Sequence, residues 1–341
     1  MSDYALRLFS FQGKTRILHL NWMAFFISFV VWFNHAPLLL PIQQSIGISI
    51  REVEILLLLN VALTIPARVI IGLVVDKLGA RITYSVLLAL SSLPCFLFAF
   101  AQDFEQLAWA RFLLGFIGAG FVVGVRIIGD WFPSSQIGIA EGIYAGWGNF
   151  GAAFAAISLP SLAYLLGEHE GWRYAIALTG GMALLYAWVY FRQVENFPPE
   201  LTGEQRTQTS NMEVSSIHDL FLYIFSLMPL YASLSVLVWK LQASEFAILK
   251  AIEAFGLQLT ILMTFLVHSY QLVRTNAHRL SQPVACIYRY RYQQVLILAI
   301  TYLITFGSKL AVLSMLPMFL FNTFAETQAL SMQNAGLLAS S

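Results

Sequence analysis

Apolar runs about as long as a bilayer crossing recur along this chain, separated by short polar breaks. A spanning helix needs roughly 20 apolar residues. Runs of that size fall at 18–41, 53–75, 82–101, 106–129, 137–166, 174–194, 217–239, 251–273 and 295–321, and each predicts a helix. The pattern divides the chain into a polar segment over 1–17, a six-helix block over 18–194 and a linker over 195–216. A hydrophobic hairpin over 217–273, a basic loop over 274–294, a further helix over 295–321 and a closing segment over 322–341 follow. The linker holds Pro198, Pro199 and Gly203 among Thr and Gln residues, a loop composition. The expected fold class is an all-α polytopic membrane protein.

Composition sharpens that picture. Of the 341 residues, 58% are hydrophobic and 11% charged, against about 45–50% and about 25% in a soluble domain. Mean hydropathy is +0.71. A single water-soluble core could not hide so much apolar surface, which excludes a soluble enzyme, a disordered chain and a nucleic-acid binder. The first apolar run is too long for a signal-peptide core and lacks a small-residue cleavage site, so the amino terminus is expected to stay attached. Cys95 and Cys286 lie far apart and read as unpaired.

Net charge is only +1, from 19 basic and 18 acidic residues, so the placement of charge matters more than its sum. With the amino terminus in the cytoplasm, that side receives Arg7, Lys14, Arg16, Lys77, Arg81, Arg192, Arg206, Arg274, Arg279, Arg289 and Arg291. The opposite side receives only Arg51, Arg173, Lys240 and Lys250, together with the acids Glu52, Glu54, Asp103, Glu105, Glu168 and Glu170. Excess Lys and Arg marks cytoplasmic loops, so this orientation is expected. Arg68, Arg111, Arg126 and Lys309 fall within spans or at their edges. Histidines form no cluster at metal spacing, no Gly-rich loop leads into Lys-Ser or Lys-Thr, and no nucleophile elbow occurs. No catalytic chemistry, metal or cofactor is therefore expected.

The second and third runs are joined by Gly72-Leu-Val-Val-Asp76-Lys-Leu-Gly79-Ala-Arg81. A tight turn uses glycine's freedom at positive φ, and the flanking acid and base can pair with each other and with a helix end. This spacing resembles the loop signature of the major facilitator superfamily. The stretch from Gly115 to Pro160 is more specific and resembles the fourth and fifth helices of the nitrate/nitrite porter family within that superfamily. Gly120 and Gly124 lie four apart on one helix, and Gly138, Gly142 and Gly146 repeat the interval on the next. Small residues at this spacing let membrane helices approach closely. Gly148-Asn149-Phe150-Gly151 adds a mid-span amide, which needs a partner and could donate to an oxyanion.

Arg68, in Ile65-Pro66-Ala67-Arg68, is the most informative single residue. A guanidinium near the bilayer centre costs roughly 2.5–3.5 kcal/mol on insertion scales, so it should face a cavity. Pro66 would leave a helix carbonyl unpaired and kink the span. A planar, always-charged fork suits a planar oxyanion such as nitrate. The alternative is a structural ion pair with Glu141 or Asp130. The resemblance implies that Arg68 contacts the substrate, that Phe121 packs against the flat face of the anion and that Tyr302, on the seventh helix, hydrogen-bonds it. Without the resemblance, Phe121 reads as core and Tyr302 as a hydroxyl open to any partner. Asp76, Arg81, Arg126, Asp130 and Glu141 form a candidate gating or structural network, Arg126 and Asp130 being four apart. Glu141 is also a candidate proton relay, and Lys309 either lines the pathway or snorkels outward.

The resemblance covers 18–197 and resumes over 292–341. The intervening hairpin is similar to one in a bacterial branch of these porters. Glu253 and Lys250, at the start of its second segment, leave an interfacial turn as the alternative. Family members continue through an eighth helix carrying a second arginine, whereas this chain ends at Ser341, so the expectation is a chain truncated after the seventh family helix. What the resemblance implies is alternating-access transport of nitrate or nitrite in a bacterial inner membrane. Its partners would be the lipid bilayer, with no nucleic acid, and a carboxy-terminal half where one is encoded separately. Two other readings stay open: a non-transporting membrane protein, and a transporter of another small anion.

Overall fold

The computed structural model describes residues 10–167, 169–198, 214, 216–243, 249–280 and 291–328. Cys286, most of the linker, the middle of the basic loop and the closing segment from 329 onward lie outside these residues. Among the described residues the chain is helical, without strands. It divides into two compact units, Met1–Thr207 with Leu310–Ser341, and Gln208–Lys309. Among the described residues, seven helical stretches are long and apolar enough to cross a membrane, so this is a multi-pass membrane protein.

In the first unit, α1 (Gly13–Phe33) is followed by a 3-10 turn (Ala36–Leu38) and α2 (Leu39–Ile46). Gly47, at φ 78, closes α2. α3 (Ile50–Ala62) starts at a capping box in which Ser49 and Glu52 satisfy each other's orphan backbone donors. The chain then turns at Leu63 and resumes as α4 (Thr64–Phe100). Pro66 explains the interruption. It lacks the N–H that would bond the carbonyl four residues back, at Ala62, and its ring crowds that carbonyl.

The stretch Ile50–Phe100 has 51 residues, roughly 77 Å at helical rise, more than two hydrocarbon thicknesses. Gly79, at φ 77 and ψ 164, breaks it into two crossings. A Cβ there would also collide with the side chain of Asn196. α5 (Phe104–Leu114), capped by Asp103, passes through a 3-10 segment (Gly115–Ala119) into α6 (Gly120–Trp131). α7 (Ser134–Leu166) and α8 (Gly171–Gln193) complete the set.

α1 packs along α7, and α4 along α8. α1 runs through the interior, with Phe25, Phe29, Val31, Trp32 and Phe33 almost fully enclosed. Leu90, Leu93 and Leu97 of α4 and Leu184, Leu185 and Trp188 of α8 instead point outward. That outward apolar face is expected where lipid is the solvent, and helix association must then come from close packing and interhelical hydrogen bonds. Asn21 supplies two: its Nδ2 donates to the Gly124 carbonyl (3.0 Å), and its Oδ1 accepts from Tyr190 Oη (3.2 Å). The two backbone irregularities also meet, because Thr64 Oγ1 donates to the Gly115 carbonyl at 2.8 Å. Broken backbone at membrane depth is tolerated where protein surrounds it.

In the second unit α9 (Ile217–Ala243) packs on α10 (Ala251–Leu280), and the first part of α11 (Tyr292–Gln328) belongs with them. Its core gathers Val214, Leu220, Leu272 and Tyr292. Asp219 accepts from the Tyr292 backbone N–H (3.1 Å) and from Ser216 Oγ (2.7 Å). The Lys250 backbone N–H donates to Glu253 Oε2 at 3.0 Å, so this charged pair caps the start of α10.

Candidate functional site

Four elements of the first unit bring together one cation and several rings. α4 carries Arg68 a little more than one turn past the interruption, half-buried. α6 presents Phe121, and the Arg68 guanidinium carbon lies 5.8 Å from that ring's centroid, within cation–π range. Phe121 neighbours Phe25 of α1 at 5.8 Å and Tyr144 of α7 at 6.3 Å. Phe25 and Tyr144 stack at 4.6 Å with a 17° interplanar angle. Tyr144 is fully buried and donates to the Gly120 carbonyl at 3.1 Å.

The rings fit because glycines leave room for them. A Cβ at Gly124 would run into the Tyr144 ring, and one at Gly148 into the Phe25 ring. At Gly120 it would lie 2.8 Å from Tyr84 Oη, and at Gly151 it would meet the Phe26 carbonyl. Gly138, Gly142 and Gly146 differ: an added Cβ there meets nothing within 4 Å, and with Trp147 and Phe150 they line an open groove of about 550 Å³.

Arg68 and Phe121 are thus brought together. Asn149 stands on α7 between Gly148 and Gly151, but its Nδ2 donates to the Ala145 carbonyl of its own helix at 2.6 Å. Its Oδ1 is buried without a partner among the described residues. The amide must turn about χ2 to present a donor to an anion. Tyr302 lies on α11 in the second unit, half-exposed, stacked on Phe306 at 5.2 Å.

The charged residues of the loop signature sit toward the end of the helices where Gly79 turns the chain. Arg126 Nη1 pairs with Asp76 Oδ1 (3.4 Å), and its Nε with Asp130 Oδ2 (3.3 Å), linking α4 to α6. Arg81 Nε donates to the Phe191 carbonyl (2.7 Å), and its backbone N–H to Asn196 Oδ1 (2.8 Å), fixing the loop to the end of α8. Glu141 is half-buried and forms no salt bridge among the described residues. At the other end, Glu170 accepts from Ser45 Oγ (2.9 Å) and pairs with Arg173, whose Nη1 donates to the Ala99 carbonyl (2.8 Å). Desolvation raises the Glu170 carboxyl, but the hydrogen bonds from Ser45 and Arg173 and the Arg173 charge together outweigh it and hold it below its ordinary range.

The sequence singles out neither Phe25 nor Tyr144, and it marks Arg111 as a basic residue within or at the edge of a span without pointing to a role for it. Arg111 is fully buried on α5, donating to Asn60 Oδ1, to Asn34 Oδ1 (3.3 Å) and to the Trp32 carbonyl. Asn34 and Asn60, two amides within apolar runs, were the available signal for it.

The sequence profile of the Major Facilitator Superfamily matches residues 22–340. The chain belongs to the Major Facilitator Superfamily. Within it, the chain is 40% identical to the nitrate/nitrite transporter NrtP of Picosynechococcus sp. over 98% of its own length and 66% of the relative's. Identity to NrtP of Nostoc punctiforme is also 40%, over 93% of this chain and 65% of that one. A probable nitrate/nitrite antiporter, NarK1 of Thermus thermophilus, is 31% identical over 52% of this chain and 41% of its own. The chain therefore spans about two thirds of the length of the first two of these superfamily relatives.

Proposed function

We propose that this protein takes part in the transmembrane transport of nitrate and nitrite, with the anion held at Arg68. The observation that carries the reading is the half-buried Arg68 guanidinium on a membrane-spanning helix, set against Phe121 beside the Phe25–Tyr144 stack. The names borne by the 40% identical relatives support the choice of substrate. Arg68 offers two parallel N–H donors and a full charge, matched to two oxygens of a planar monoanion. Phe121 covers one face of that plane and excludes water, which strengthens the ionic contact. Asn149 adds a donor after turning its amide, and the family resemblance assigns a further hydroxyl to Tyr302.

In this reading the Asp76–Arg126–Asp130 network and Arg81 hold one end of the helices and yield when the two faces of the membrane exchange access. The open glycines Gly142 and Gly146 take a neighbouring helix, as Gly120 and Gly124 take theirs. The basic residues orient the amino terminus toward the cytoplasm of a bacterial cell, in its inner membrane.

The test is uptake of isotopically labelled nitrate into proteoliposomes holding this chain. Uptake above empty vesicles that is lost in Arg68→Ala is expected. Equal uptake by the wild-type chain and Arg68→Ala would overturn the assignment of Arg68.

A further inference from the structure

A polar cluster closed inside the first unit takes no part in the reading above. Its centre is Arg111, whose acceptors are all neutral: Asn60 Oδ1, Asn34 Oδ1 and the Trp32 carbonyl. No carboxylate pairs with it among the described residues, so dipoles solvate its charge without neutralising it. Four hydrogen bonds from five N–H groups leave one hydrogen on Nη1.

The groups around it have unused capacity of the same kind. Asn60 Nδ2 is buried and donates to nothing among the described residues. His35, next in the chain after Asn34, is fully buried with both ring nitrogens unpartnered among those residues. A neutral imidazole supplies one N–H donor. Asn34 Nδ2, by contrast, is engaged with Thr179 Oγ1 at 2.9 Å. What is left over is therefore a cation, an amide donor and an imidazole donor. Water would satisfy the donors but leave the charge unbalanced, whereas a small anion answers both needs.

We propose that Arg111, Asn60 and His35 bind a small monovalent inorganic anion, of chloride to nitrate size. The site is distinct from Arg68: Asn60 precedes Arg68 by eight residues and lies on the other side of the interruption at Leu63. It also sits where α1 ends and where α3 and α5 approach their interruptions. A bound anion there clamps three helices at their weakest backbone and stabilises the unit independently of anion binding at Arg68.

The experiment is a sodium bromide titration of the purified chain in lipid nanodiscs, balanced with sodium gluconate to constant ionic strength and read as melting temperature by tryptophan fluorescence. Saturable stabilisation is expected in the wild type and equally in Arg68→Ala, which keeps this site separate from the transport reading. His35→Phe, which leaves every Arg111 hydrogen bond in place, is expected to raise the half-saturating bromide concentration at least tenfold. Asn60→Asp keeps the acceptor and supplies a fixed negative charge. It is expected to melt higher than wild type in gluconate and to lose the bromide response, which keeps the proposal testable if His35→Phe does not fold. The proposal is overturned if bromide has no saturable effect on the wild type, if Arg68→Ala abolishes it, or if Asn60→Asp or a folded His35→Phe responds with wild-type affinity.

Discussion

Gly124→Ala tests whether close packing shapes the ring cluster beside Arg68. The added Cβ points straight into the Tyr144 ring, and neither partner has an easy retreat. The Gly124 carbonyl is held by Asn21 at 3.0 Å, which ties α6 to α1. Tyr144 is stacked on Phe25 at 4.6 Å and donates to the Gly120 carbonyl at 3.1 Å. Relieving the clash therefore costs overpacking strain of about 1–3 kcal/mol and weakens a buried hydrogen bond of about 1 kcal/mol. A total of about 2–4 kcal/mol corresponds to a melting temperature lower by about 4–16 °C for a unit of this size. A thiol-reactive dye reads this directly in a Cys286→Ser background, because Cys95 is buried and reacts only on unfolding. Tyr144→Ala, which removes the ring, should abolish most of the extra cost of Gly124→Ala, leaving a coupling of at least about 1 kcal/mol in the double-mutant cycle. A shift below about 2 °C, or additive single and double variants, would refute the reasoning.

Thr64→Val removes the donor to the Gly115 carbonyl while keeping side-chain volume. The buried acceptor left behind should cost about 1–3 kcal/mol, and an unchanged melting temperature would show that the two interrupted helices are not pinned there. Arg126→Gln breaks two ion pairs whose side chains are 22–40% exposed, so stability should fall by less than about 1 kcal/mol per pair; a drop of more than about 10 °C would instead make the network a keystone of the fold. Because Glu170 is held below its usual range when folded, its contribution is present above the unfolded value and is lost as pH falls through the folded one. Melting temperature should decline on acidification below the ordinary glutamate range, and Glu170→Gln should flatten that decline; identical curves would remove Glu170 from the acid response.

The spans were legible because a bilayer demands long apolar runs, which need no knowledge of neighbours. Gly79 and Pro66 were legible for a related reason: each acts on the backbone within a few residues of itself. Arg68 stood out because a charge in the middle of an apolar run is costly. Phe25 and Tyr144 carried no such mark, being one of 27 phenylalanines and one of 14 tyrosines. Their role depends on gaps left by Gly148 and Gly124 on another turn or another helix. The glycine intervals on α6 and α7 look alike in sequence, yet Gly124 meets a ring while Gly142 and Gly146 face open space. Spacing defines a helix face but not what lies opposite it. Arg111 was visible as a charge at the edge of a run, but its burial was not, because a basic side chain near the start of a run ordinarily snorkels out. Its burial follows from Asn34 and Asn60 converging from two other helices.

The most direct test of the Arg68 assignment is equilibrium nitrate binding to the purified chain, wild type against Arg68→Lys. Lysine keeps the charge but replaces a two-pronged donor with a single point. Losing one charge-assisted hydrogen bond of about 1.5–3 kcal/mol should raise Kd by about 10–150-fold, at about 1.4 kcal/mol per factor of ten. Nitrate binding whose Kd is the same within about threefold in the two proteins would contradict the account.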